Sequence, residues 1–240
     1  MRIFLAGASG AIGRRLLPLL LGAGYDVTGS TRSGEKAALL RSAGISPVIV
    51  DVFDAAALRA AVVAAGPDVI VHQLTDLPRV FDEQRLAEAY LRNARIRIEG
   101  TRNLIAAAQA SSARRLIVQS VAFAYVAGGE PHPETDALNL ADGPRAVTVR
   151  AAAAMEQQTL SAHRLEGIVL RYGLFYGPGT WFEGGGRKPG VHVDAAAHAA
   201  FLAIGRGAAG VYNIADDDGV VLSSKARQHL GFDPEFRLPL

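Results

Sequence analysis

Short apolar runs alternate with longer, alanine- and leucine-rich stretches of helical spacing as far as residue 172. The short runs predict strands at 2–6, 25–30, 47–50, 68–73, 115–120 and 167–172. The longer stretches predict helices at 12–22, 34–43, 54–65, 82–110 and 147–164. Strand and helix taking turns in this way predicts an α/β, doubly wound parallel sheet with helices on both faces, in a single domain over 1–240.

Composition narrows the function without changing that picture. Half of the residues are apolar (50%) and a fifth are charged (20%), as in an ordinary globular enzyme. The formal charge is +2 with no long run of like charges, so neither nucleic acid nor a membrane surface is expected as a partner. Cysteine is absent, which removes disulfides and thiolate chemistry. No basic segment followed by an apolar one opens the chain, and no stretch approaches the roughly twenty apolar residues of a bilayer span, so a cytoplasmic location is expected.

Candidate chemistry begins where the first strand meets the first helix, at Gly7-Ala-Ser-Gly-Ala-Ile-Gly13. A glycine at the strand end permits a sharp turn, a second lets the backbone approach a phosphate, and a third lets helix and strand pack closely. The free amides of the helix start would face a pyrophosphate, making Gly7, Ser9, Gly10, Ala11, Ile12 and Gly13 candidate dinucleotide-binding residues. The second strand leads into Arg32 and Ser33, with no carboxylate before Glu35. A carboxylate there would hold a ribose 2′-hydroxyl, whereas a basic residue suits a 2′-phosphate; NADP is expected in preference to NAD. The third strand runs into Asp51-Val52-Phe53-Asp54. One reading sets Asp51 and Val52 against the adenine, another makes Asp54 the cap of the next helix, and both can hold.

The Gly-x-x-Gly-x-x-Gly spacing resembles that of the short-chain dehydrogenase/reductase superfamily, in the extended branch of nucleotide-sugar epimerases and dehydratases. Further segments resemble the same branch: Gly100-Thr-Arg-Asn-Leu104, Arg171-Tyr-Gly-Leu-Phe-Tyr-Gly-Pro-Gly179, the stretch from His192 to His198, and Ser224 to Pro234. The resemblance covers essentially the whole chain. It implies a Rossmann fold, a homodimer through the long helices, and hydride transfer between a nicotinamide cofactor and a small carbonyl or hydroxyl compound. By the same resemblance Gln73, Leu74, Thr75, Tyr172 and Gly173 line the dinucleotide groove. Ser120 would polarise the substrate oxygen and Tyr125 would donate the proton. His72 reads as a packed strand residue, and Arg92, Arg95 and Arg97 read as a solvated or dimer-facing basic surface. His192, Asp194 and His198 read as a helix start capped by Asp194 and not as a metal site.

Two departures from the family pattern matter for function. The Tyr-x-x-x-Lys pair, in which the ammonium lowers the phenol's pKa and the phenol moves the proton, occurs nowhere in the chain. Counting back from Glu156, its two places fall to Thr148 and Ala152. Secondly, the segments 183–190 and 218–223 are shorter than in the family, either as true deletions that open the pocket or because residues are missing from them. The second is favoured, since Gly-Gly-Gly-Arg-Lys-Pro-Gly could form no lid by itself; the substrate-covering region expected from 174–190 and 219–240 is small. The sequence therefore supports an oxidoreductase or epimerase-like enzyme with an unconventional proton donor, or else a dinucleotide-binding sensor that performs no chemistry.

Overall fold

The computed structural model describes residues 1–78 and 80–239. The chain runs β1 (Arg2–Ala6), α1 (Ala11–Gly22), β2 (Asp26–Thr31), α2 (Gly34–Ser42), β3 (Ser46–Ile49), α3 (Ala55–Ala65) and β4 (Val69–His72). Next come α4 (Glu83–Arg95), a π-helical turn at Ile96–Gly100, α5 (Thr101–Gln109), β5 (Arg115–Val121), α6 (Ala146–Leu160) and β6 (Glu166–Tyr172). Two short strands, β7 (Leu174–Tyr176) and β8 (Gly190–His192), precede α7 (Val193–Gly205), β9 (Gly210–Ile214) and α8 (Ser224–Leu230).

Seven strands form one parallel sheet in the order β3-β2-β1-β4-β5-β6-β9, and β7 pairs with β8 in a small parallel sheet of its own. Side chains alternate between the two faces, so each strand feeds two cores. Ile3 and Leu5 point to the layer of α1, α2, α7 and α8, whereas Phe4 and Ala6 point to the layer of α3, α5 and α6. Both layers are closed by alanine-rich helix faces that approach the sheet tightly. The sheet reverses direction of growth between β1 and β4, and a ligand crevice opens at the carboxyl ends of strands at such a point.

The long helix expected at 82–110 is in fact α4 and α5 joined through the π turn, and the helix expected to reach 164 stops at Leu160. The amide of Ala162 returns to Thr159 and that of Leu165 to Ala162, which turns the chain directly into β6. The C-terminal segment packs on α7: Phe232 belongs to the core, the Phe236 ring stacks on His198 at 3.8 Å, and the Leu238 amide donates to Asp194. Leu240, at the end of the region expected to cover substrate, lies outside the described residues. Among the described residues no helix is long and apolar enough to cross a membrane.

Candidate dinucleotide and substrate site

At the switch point the ends of β1 and β4 touch. The Gln73 amide donates to the Ala6 carbonyl at 2.8 Å, and a side chain at Gly7, whose φ is +92°, would meet the Gln73 carbonyl at 2.6 Å. A side chain at Gly13 would run into the carbonyls of Gly7 and Ala8, so that glycine sets how closely α1 lies on β1. The Gly10 amide closes the turn onto the Gly7 carbonyl at 3.0 Å. No side chain caps the start of α1 and its first turn holds no acidic residue, whereas α2, α3 and α4 are capped by Ser33, Asp54 and Asp82. The amides of Ala11, Ile12 and Gly13 therefore form a positive end open to an anion.

The other groove candidates surround this turn. Arg32, at the end of β2, keeps about half of its side chain in solvent (55%) and lies 3.8 Å from Asp76, which also meets Arg92 at 3.6 Å. A hollow of about 370 Å³ between α1 and α2 is lined by Ser9, Arg14 and Lys36 among others, which places two cations beside Ser9. Asp51 is exposed and accepts from the Phe53 amide, while Asp54 caps α3 by accepting from the Ala57 amide at 2.9 Å. Val52 is buried under the π turn, its methyls 3.2 and 3.3 Å from where a side chain on Gly100 would begin. Asn103 fixes that corner by donating to the Val52 carbonyl at 2.9 Å. Thr75 is exposed and Leu74 is half-buried.

Two buried polar ends at the groove have no partner among the described residues. They are both amide atoms of Gln73, after β4, and the hydroxyl of Tyr172, at the end of β6. Burial pushes the Tyr172 phenol up, with the nearby Gln73 amide opposing it. Gly173 next to it could carry no side chain, since the Gly190 carbonyl would be 2.6 Å away. Unpaired polar atoms and an uncapped helix end at one crevice fit a bound dinucleotide, which brings both hydrogen-bonding groups and phosphates.

Ser120 and Tyr125 lie within a buried polar network. Ser120 is 1% exposed and donates to Glu156 on α6 at 2.6 Å. Glu156 also receives both arms of Arg171, at 3.0 and 2.6 Å, and Arg171 donates to the Tyr125 hydroxyl at 2.8 Å. Tyr125 in turn donates to Asn213 at 2.7 Å. Burial raises the Tyr125 pKa, and Arg171 works against it. Burial also opposes the charge of Arg171, but the hydrogen bonds and charge of Glu156 outweigh it and raise its pKa. Both hydroxyl protons are thus committed to carboxylate or amide oxygens inside the protein.

The places of the missing pair are closed. Ala152 is fully buried in an apolar cluster with Val121, Ala124 and Val149, and Thr148 is 8% exposed. His72 is buried: its Nδ1 accepts from the Leu74 amide at 3.2 Å, so Nε2 carries the proton and donates to Thr101 at 3.1 Å. Burial first, and Arg97 second, hold its pKa down at about 4.

Three arrangements lay beyond sequence reasoning. Arg97 is buried, at 7% exposure, and not part of a solvated basic surface; Arg92 and Arg95 stay outside, paired with Glu88 and Glu99 at 2.7 Å each. His192, not Asp194, caps α7 by accepting the Asp194 amide, while Asp194 binds Arg15 at 2.6 Å. Trp181 donates to the Pro78 carbonyl at 2.7 Å and meets the Phe81 ring edge-on at 5.6 Å, tying the β7–β8 loop to the segment before α4. Arg187 lies 3.8 Å over Phe182 in the same cluster.

Residues 3–200 match the NAD dependent epimerase/dehydratase family. A 3-diazoavenalumate denitrifying reductase from Streptomyces sp. is 39% identical over 245 residues, covering 91% of this chain and 77% of its own. Among solved structures, UDP-glucose 4-epimerase from Thermotoga maritima, with UDP-glucose, has a TM-score of 0.79 at 20% identity, covering 99% of this chain and 94% of that one. A dTDP-glucose 4,6-dehydratase double mutant from Streptomyces venezuelae, with NAD and DAU bound, has a TM-score of 0.76 at 20% identity, covering 98% and 92%. At these identities the two structures share the fold.

Proposed function

This chain belongs to the NAD dependent epimerase/dehydratase family and is an enzyme of that oxidoreductase and epimerase class, and from that premise we propose that it is an NADPH-preferring reductase of a small electrophilic compound. The observation that carries the reading is the crevice itself: an uncapped α1 whose amides await phosphates, beside the unpaired Gln73 and Tyr172. The turn from Gly7 to Gly13, Ser9 included, would hold the pyrophosphate. Arg32 and Ser33 would take the 2′-phosphate, with Asp51 and Val52 at the adenine. Gln73, Leu74, Thr75, Tyr172 and Gly173 would line the nicotinamide half. When bound, the nicotinamide supplies a hydride.

What the protein adds is placement, exclusion of water and very little acid. Ser120 and Tyr125 hold α6, β5, β6 and β9 in register through Glu156 and Arg171, which frames the substrate end of the crevice. A carbonyl acceptor would find no free protein acid there to protonate its oxygen, since both hydroxyl protons are bonded inside the protein. A diazo acceptor, the substrate type of the Streptomyces relative, suits it better, because R–N2⁺ plus hydride gives R–H and N2 with no oxyanion and no proton required. The short segments at 183–190 and 218–223 suit a small substrate better than a large one. Leu91 and Ile98, exposed on α4 and the π turn, support a homodimer through these helices.

The test is titration of the purified protein with NADPH and NADH by nicotinamide fluorescence, followed by incubation of the tighter complex with aldehydes, ketones, nucleotide sugars and arenediazonium salts. Micromolar NADPH binding and oxidation by a diazonium salt, with N2 released mole for mole, are the expected results. Tyr125→Phe should retain that turnover. Failure to bind either cofactor would overturn the reading.

A further inference from the structure

Most arginines of α4 and its π turn meet a carboxylate, and Arg97 does not. The π turn adds a residue to the helical repeat, which brings Ile96, Arg97 and Gly100 together on the buried side while Arg95 stays outside on Glu99. One guanidinium nitrogen of Arg97 donates to the Thr148 carbonyl at 3.3 Å. Among the described residues that is its one hydrogen bond, and it has no ion pair. A guanidinium has five N–H donors, so most of its capacity is spare.

Its neighbours do not compensate the charge. Glu156 helps Arg97 keep its proton, but that carboxylate is already taken by Arg171 and Ser120. His72 is neutral and hydrogen-bonded to Thr101. Burial lowers the Arg97 pKa only to about 10, so the group remains a cation near neutral pH. A buried cation without its anion is costly, and a side chain so placed is a candidate to receive the anion of a ligand.

Its surroundings point the same way. Thr148 lies in the first turn of α6, whose start has no side-chain cap and no acidic residue, so the positive end of a fifteen-residue helix adds to the guanidinium. Arg97 lies near enough to His72 to oppose its protonation, and His72 ends β4 next to Gln73, so the guanidinium sits beside the end of that strand. A neutral hydroxyl would leave the charge unanswered, whereas a carboxylate matches a guanidinium in charge and in fork geometry.

We propose that Arg97 is a substrate-binding residue and that the substrate carries a carboxylate, received by the Arg97 guanidinium at the start of α6. This rests on the reductase reading above.

The test compares benzoate with benzamide, its uncharged isostere, by calorimetric titration of the full chain with and without NADPH, in the wild type, Arg97→Lys and Arg97→Ala. The wild type should prefer benzoate by about 10- to 100-fold; Arg97→Ala should lose the preference and Arg97→Lys should keep part of it. NADPH affinity should be the same in all three. Equal binding of benzoate and benzamide by the wild type, or a preference that survives Arg97→Ala, would overturn the proposal. If the wild type binds no NADPH, the reductase reading fails, while the comparison without cofactor still decides on Arg97.

Discussion

Arg32 stands at the end of β2 with a long, weak contact to Asp76 and more than half of its side chain in water. Such a pair contributes little to stability, so the residue is free to serve a ligand. Arg32→Ala should weaken NADPH binding about tenfold and leave NADH binding unchanged in paired fluorescence titrations, with the difference shrinking as salt is added. His72 is the residue whose protonation the fold resists most clearly. Its pKa is 6.5 when unfolded and about 4 here, so between those values the unfolded chain binds the extra proton. Stability from this residue is therefore present above pH 6.5 and is lost as the pH falls through 4, a change of up to about 3 kcal/mol. Urea unfolding of the wild type and His72→Asn at several pH values should show the variant with the shallower loss on acidification. The glycine turn, the place of Arg32 just after β2 and the packed His72 were legible from sequence because each is decided by local chain geometry. The inward turn of Arg97 was not, because a π turn shifts which face each residue occupies and leaves no mark in a regular helical repeat.

At the scale of elements, β5, β6, β9 and α6 are joined by one chain of polar contacts running from Ser120 through Glu156, Arg171 and Tyr125 to Asn213. Glu156 and Arg171 are each 5% exposed, so their pair is largely withdrawn from water. Glu156→Gln would leave Arg171 charged and uncompensated, at a cost of about 3–5 kcal/mol, and should lower the urea midpoint by more than any single change in the cofactor crevice. A midpoint unaffected by Glu156→Gln would show that solvent or another group answers Arg171. As far as residue 172 most strand and helix positions were read from the sequence within a few residues, since the apolar periods are strong there, whereas α7, β9 and α8 were not assigned as elements. The short β7–β8 ladder was not read, because three-residue strands are too brief to show a period. The network was only half visible: Ser120, Tyr125 and Glu156 were each singled out, but nothing in their spacing says that they bond to Arg171 and Asn213 and not to a substrate.

For the whole molecule the question is how a crevice at the edge of an open sheet is kept from water. A large lid is absent from the described residues around 183–190, and the contact made from that loop is an aromatic clasp. Trp181 from the β7–β8 loop reaches the Pro78 carbonyl, with Phe81 and Phe182 packed 5.6 Å apart and Arg187 over them. The segments it joins are about a hundred residues apart, one following β4 of the large sheet and the other lying between β7 and β8 of the small one, so no reading of local pattern could have brought them together. Trp181 is the one tryptophan in the chain, which makes the clasp directly observable. If it roofs the crevice, NADPH binding should quench tryptophan emission and sensitise nicotinamide emission, by energy transfer over a short distance. Trp181→Phe would keep the ring packing and lose the hydrogen bond, worth about 1 kcal/mol, so melting should shift by only about 2–4 °C. KM for the small substrate should rise more than kcat falls, because a looser cover weakens substrate retention without touching hydride transfer. A tryptophan signal indifferent to NADPH, together with unchanged KM in Trp181→Phe, would place the clasp away from the crevice and leave 174–190 as a strut between β7 and α4.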